Sequence, residues 1–226
     1  MKQIQWYPGH MAKTKREVKE KIRAIDIVLE LLDARIPFSS QNPVVKEVCG
    51  NKKRVILLNK ADLADKNELD KWVVFFEKQG LRTLQINAVN GNGVDKILPV
   101  LKEELKELKA KEKARGRIER PIRAMILGIP NVGKSTLINK LANKKKLVVQ
   151  DRPGVTRQTQ YIRVGKDFEL LDTPGILWPK FDDEDVAFRL ALTGAIKDDI
   201  LPLDDIVIYG YKFLDKYYKS RFEERY

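Results

Sequence analysis

The chain has 226 residues, 43% of them hydrophobic, a formal net charge of +12 and one cysteine. That size and apolar content allow one α/β domain with a small appendage, and a lone cysteine excludes an internal disulfide and suits a reducing compartment. With no apolar h-region after Met1 and no run long enough to span a bilayer, the expected setting is cytoplasmic, with no membrane partner; the charge favours a polyanion such as RNA, or simply coats solvated helix faces.

In chain order, residues 12–25 predict a basic helix with Val18, Ile22 and Ile25 on one side. Ile27 to Leu32 is a buried-strand run ending at Asp33-Ala34-Arg35, and Arg54 to Leu58 is a second that runs into Asn59. Leu69, Trp72, Val73 and Phe76 mark one face of a helix stopped by Gly80, and Thr83 to Ile86 is a third strand. From Val94 a long helix is expected, with Leu98, Leu101, Leu105 and Leu108 as its stripe, followed by a charged linker to Arg120. Ile122 to Leu127 is a fourth strand, Ser135 to Leu141 starts a helix, and two strands follow near Gln160–Val164 and Phe168–Leu171. This alternation predicts an α/β fold, a mostly parallel sheet with helices on both faces, whose ligand sits at the carboxyl ends of the strands.

Three short strings fall at those strand ends. Gly128-Ile129-Pro130-Asn131-Val132-Gly133-Lys134-Ser135 has the phosphate-loop pattern between a strand and a helix. Backbone N–H groups from Asn131 to Thr136 would close around phosphates, Lys134 would meet the outer ones, and Ser135 would offer a hydroxyl to Mg²⁺. The loop alone does not separate ATP from GTP. Asn59-Lys60-Ala61-Asp62 does: Asp62 can accept both N–H groups of the guanine edge, Asn59 can bridge base and loop, and the Lys60 stem can cover the ring. Read alone, Asp62 is also an ordinary helix cap. Asn87-Ala88 would adjoin the guanine oxygen. Asp172-Thr173-Pro174-Gly175 offers Asp172 to Mg²⁺ through water and the Gly175 N–H to the γ-phosphate. Between them, Thr156 is the expected second Mg²⁺ hydroxyl, with Thr159 as its rival. The guanine reader precedes the phosphate loop, the reverse of the ordinary order in GTP-binding proteins.

Together with Trp6-Tyr7-Pro8-Gly9-His10-Met11, Asp33-Ala34-Arg35-Ile36-Pro37 and Leu177-Trp178-Pro179-Lys180, these strings resemble the circularly permuted P-loop GTPases of the YlqF/RbgA type, over essentially the whole chain. The resemblance implies a GTPase domain over residues 1–178 and a helical segment over 179–226, shortened relative to the longer helical domain of the family. It implies binding of GTP and GDP, action late in assembly of the large ribosomal subunit, contact with rRNA, and turnover that rises on the particle. A nucleotide-gated RNA-binding module with negligible catalysis, and a GTPase acting on a tRNA or a signalling partner, are the competing readings.

In Ras-like enzymes a glutamine after Asp-x-x-Gly orients the attacking water. Here Ile176 stands there and cannot do so, which predicts slow turnover without a partner. His10, the sole histidine, is the candidate catalytic group, or else a helix-start residue that packs or caps. In potassium-stimulated GTPases that resemble this chain, an asparagine at the place of Asn131 helps to bind K⁺; otherwise Asn131 bonds its own backbone. On the last helix, Ile206, Gly210, Phe213, Leu214 and Tyr217 are expected to line one side.

Overall fold

A computed structural model describes residues 9–143, 160–173, 175, 183–196 and 201–224. Their strands form a sheet of order β3-β2-β1-β4-β6-β5, built from β1 (Ile27–Asp33), β2 (Lys53–Asn59), β3 (Arg82–Gln85), β4 (Ile122–Leu127), β5 (Gln160–Val164) and β6 (Phe168–Asp172). Every neighbouring pair is parallel except β5 with β6. The continuous apolar runs of β1 and β4 have this cause: central parallel strands are buried on both faces. β4 is fourth along the chain yet central in the sheet, so the phosphate loop that follows it opens beside β1 on one side and β6 on the other.

Side chains alternate across the sheet. On one face Val28, Met125, Leu127 and Leu171 pack beneath Val18 and Ile22 of α1 (Gly9–Lys21) and its 3₁₀ extension Ile22–Ala24, and beneath Val45, Val48 and Cys49 of α3 (Pro43–Cys49). Farther along, Leu32, Ile56 and Leu58 pack under Leu69 and Phe76 of α4 (Lys66–Glu77). Burial pushes the Cys49 thiol up to about 12, which makes it a packing residue rather than a nucleophile.

Two short helices, α2 (Pro37–Ser40) and α3, lie where no element was expected. Asn42 caps α3 by accepting from the Val44 N–H at 2.9 Å, with Pro43 at the first helical position. The long helix expected from Val94 is instead a 3₁₀ turn (Val94–Lys96), α5 (Ile97–Glu104) and α6 (Lys106–Ala114), broken at Leu105. Its buried stripe is Ile97, Val100, Leu101 and Leu105, while Leu108 is exposed, because α6 has left the sheet. The linker after α6 returns to the sheet base at Asp26, whose carboxylate takes both Arg120 nitrogens at 2.7 and 2.8 Å and the Arg123 N–H at 2.9 Å. Burial opposes the charge on Asp26, but these bonds outweigh it and hold the carboxyl below its usual range.

The chain divides into two compact units; the second contains residues 183–224. There α8 (Glu184–Leu192), capped by Asp183, packs on α9 (Leu203–Glu223) through a stacked Phe188–Tyr209 pair with ring centroids 4.8 Å apart. Along the expected α9 stripe Ile206 is buried, whereas Leu214 and Tyr217 are exposed. Among the described residues, no helix is long and apolar enough to cross a membrane.

Candidate functional site

Parallel pairing of β1 with β2 sets Asp33 opposite Asn59, so both strands end level, and β4 delivers the phosphate loop beside them. Asn59, almost fully buried, donates from Nδ2 to the Val132 carbonyl at 2.8 Å, and its Oδ1 accepts the Ala88 N–H at 3.0 Å. One side chain thereby joins the Asn59–Asp62 segment, the phosphate loop and the loop after β3. The approach is close: Gly133 holds φ 102°, and a Cβ there would collide with the Asn59 amide nitrogen. Glycine is required here both for backbone freedom and for space.

Lys60 adopts φ 62°, ψ 35°, a left-handed conformation that is uncommon for a residue with a side chain. Its ammonium contacts the Asp33 carboxylate at 2.9 Å and the Asn131 carbonyl at 3.1 Å. Asp62 follows in the 3₁₀ turn Ala61–Leu63 and is exposed. Lys60 and Asn59 thus bring the Asn59–Asp62 string against the phosphate loop, on the same edge of the sheet as Lys134.

Asn87 and Ala88 act differently from a simple rim. The Asn87 side chain accepts from the Val89 and Asn90 N–H groups at 2.8 and 3.0 Å, which shapes the loop, and the Ala88 N–H is given to Asn59 rather than standing open.

Lys134 begins α7 (Lys134–Asn143), with Ser135 and Thr136 exposed beside it. The Lys134 ammonium donates to the Gly128 and Ile129 carbonyls at 3.1 and 2.9 Å, curling the loop around its own lysine. Burial lowers its pKa to about 8, against the opposing pull of Asp172. Asp172 ends β6, buried, and the neighbouring Thr173 hydroxyl donates to the Ile126 carbonyl of β4 at 2.7 Å. Gly175 reaches the phosphate loop itself: a Cβ there would lie 2.8 Å from the Pro130 nitrogen. The phosphate loop, the Asn59–Asp62 string, Asp172 and Gly175 therefore lie together at the carboxyl edge of the sheet.

His10 falls in the first turn of α1, and its side chain lies outside the described part of the structure; Thr156, Thr159, Ile176 and the Leu177–Lys180 string are likewise outside the described residues. Sequence reasoning missed the site's most connected carboxylate. Asp33 is buried at the end of β1 and takes Arg35 Nε at 2.9 Å, Arg35 Nη2 at 2.7 Å and Lys60 Nζ at 2.9 Å. Burial disfavours its charge, yet Arg35 first and Lys60 next more than compensate, and the carboxyl stays below its ordinary range. Nothing in the sequence pattern signals this contact, because it depends on two adjacent parallel strands ending level.

The profile of the family described as 50S ribosome-binding GTPase matches residues 123–216. The chain is similar to the ribosome biogenesis GTPase A of Bacillus licheniformis, 59% identical over 99% of this chain and 79% of that protein. The corresponding protein of Bacillus pumilus is 56% identical over the same shares. Among solved structures, GNP-bound YlqF from T. maritima is 32% identical with a TM-score of 0.65, over 90% of this chain and 75% of that one.

Proposed function

The chain belongs to the ribosome biogenesis GTPase A family and is a GTPase of ribosome assembly, and from that premise we propose that it acts in the cytoplasm on the large ribosomal subunit, contacting rRNA, with its nucleotide state controlling when it holds the particle. The observation that supports this reading best is the double hydrogen bond of Asn59, which ties a guanine reader to a phosphate loop distant in sequence.

In this reading Asp62 accepts the guanine N–H pair, Asn59 fixes the reader, and Lys134 turns from its own loop carbonyls to the outer phosphates. The Gly175 N–H senses the γ-phosphate. Ser135, Asp172 and Thr156 are the residues that would hold Mg²⁺. Among the described residues no group of three or more His, Cys, Asp or Glu side chains forms a protein-only cage. A hydroxyl in the first turn of α7 and a carboxylate at the end of β6 suit an ion that takes most of its ligands from phosphate and water. When bound, the ion supplies charge neutralisation on the phosphates. Asn131, at φ 55° in the phosphate loop, is the residue proposed to favour K⁺ at the same anionic centre. His10 is the proposed group that orients the attacking water when the chain is bound to the particle.

Phosphate release under multiple turnover, with and without large subunits, tests the proposal. The expected outcome is slow release alone and a large rise on adding subunits, a rise that His10→Ala removes without changing GTP affinity and that NaCl supports less well than KCl. Turnover indifferent to subunits would reject the particle-controlled reading. Equal loss of affinity in His10→Ala would give His10 a structural role, and equal rates in the two salts would remove K⁺.

A further inference from the structure

Asp33 spends a buried carboxylate on two cations, and only one of them belongs to its own loop. Arg35 closes the turn after β1: its N–H and guanidinium both reach Asp33, and the Ser40 hydroxyl accepts the Asp33 N–H at 3.0 Å. That loop would hold with Arg35 alone. The second cation, Lys60, comes from the next strand, sits in a left-handed backbone conformation, and donates onward to the Asn131 carbonyl. A residue with a side chain keeps such a conformation when its surroundings over-determine it. Here the determining contacts are an ion pair at one side and the phosphate loop at the other.

We propose that Asp33 is a positioning residue for guanine-nucleotide binding: through Lys60 it locks the base reader to the phosphate loop and so slows nucleotide release. This deepens the nucleotide reading of the site and rests on it. The chain of contacts is Asp33 carboxylate, Lys60 ammonium, Asn131 carbonyl. Asp33 need not touch the nucleotide. Without the carboxylate, the Lys60 head keeps one neutral acceptor, and the residue is free to relax out of its left-handed geometry. The reader, including Asp62 two residues on, then loses its fixed distance from the phosphates. Charge-assisted hydrogen bonds of this kind correspond to about 10- to 100-fold in an equilibrium constant.

The test is release of mant-GDP from the whole chain, read beside KM and kcat for GTP and the melting temperature. Asp33→Ala is expected to speed release by about 10- to 100-fold and raise KM in step, with kcat at saturation within about twofold. Arg35→Ala disturbs the same turn but keeps the Lys60 contact, and should shift release by less than about threefold. The deciding measurement is the double variant. Asp33→Ala combined with Lys60→Ala should release no faster than Lys60→Ala alone. If the two effects multiply, or if Asp33→Ala lowers only the melting temperature, the inference is overturned. Should Asp33→Ala fail to fold, Asp33→Asn, which keeps the shape and loses the charge, is measured in its place against the same expectations. A wild-type chain that does not bind mant-GDP would sink the nucleotide reading itself, whereas wild-type release from a folded Asp33 variant would sink only this step.

Discussion

The segment after β2 and the loop after β4 meet at one edge of the sheet and share two hydrogen bonds, but each uses its lysine differently. The base reader is braced from outside: Asn59 reaches the phosphate loop and the loop after β3, and Lys60 reaches Asp33 and Asn131. The phosphate loop receives two of those bonds, at its Asn131 and Val132 carbonyls, while its own lysine turns inward and donates to two carbonyls of the same loop. The braced segment has met its ordering cost during folding. In the proposed reading the loop lysine exchanges two charged hydrogen bonds for phosphate contacts, so a change of shape on binding is expected at the phosphate end. A base site fixed in advance and a phosphate site that reorganises is the division expected of a protein that reports the state of its phosphates.

The most damaging test of this division leaves both scaffolds alone. Asp62 is exposed beyond the braced residues, so Asp62→Asn changes the acceptor pair without loosening the reader. GTP affinity should fall by about 100- to 10,000-fold, the value of two charge-assisted hydrogen bonds, and xanthosine triphosphate should become the preferred ligand. Competition binding with the two triphosphates measures it. Unchanged GTP affinity would remove Asp62 from the base site and with it the idea of a reader.

A second pair of variants separates bracing from binding. Asn59→Ala strands the buried Val132 carbonyl and Ala88 N–H, and should lower both unfolding free energy and nucleotide affinity by about 2–4 kcal/mol each. Lys134→Met removes an ammonium that burial already disfavours, so affinity should fall by about 2–3 kcal/mol while the free protein becomes no less stable. Urea unfolding without nucleotide and mant-GDP titration give the two numbers for each variant. If Lys134→Met destabilises the free chain as much as Asn59→Ala, the loop lysine is a structural brace as well and the contrast disappears.

What the amino-acid string reveals follows the same line. The phosphate loop and the Asn59–Asp62 string are legible because each is a run of consecutive residues whose spacing is the chemistry. All six strands are legible as apolar or alternating runs, and their order along the chain already implies the permuted sheet. The Asp33–Lys60 contact is not legible in that way: it joins residues from two strands and depends on β1 and β2 ending level, a register that hydrophobic pattern alone leaves open. The α3 cap at Asn42-Pro43 was readable but is masked by a helix of only seven residues. The break at Leu105 was not, since the leucine spacing carries on to Leu108 while the backbone turns away.

The smallest expected effect comes from the strand between the two regions. Glu30 on β1 is in register with Ile56 of β2 and with Leu127 of β4. It is buried, paired with Arg54 at 2.9 Å, and burial pushes its pKa up to about 7 from 4.5 despite that partner. The folded chain therefore holds a proton here that the unfolded chain releases. This contribution to stability is complete below about pH 4.5 and is lost as pH rises through about 7, a span worth roughly 3 kcal/mol as an upper figure. Glu30→Gln cannot titrate, so relative to wild type it should look worse at pH 5 than at pH 8 by about 1–3 kcal/mol, while mant-GDP affinity stays level because the side chain faces the helices and not the crevice. Urea midpoints at the two pH values settle the first part. Parallel curves for the two proteins would mean that Glu30 stays ionised against Arg54 throughout, and a drop in affinity would mean that the joint between the base and phosphate regions transmits strain that neither region shows alone.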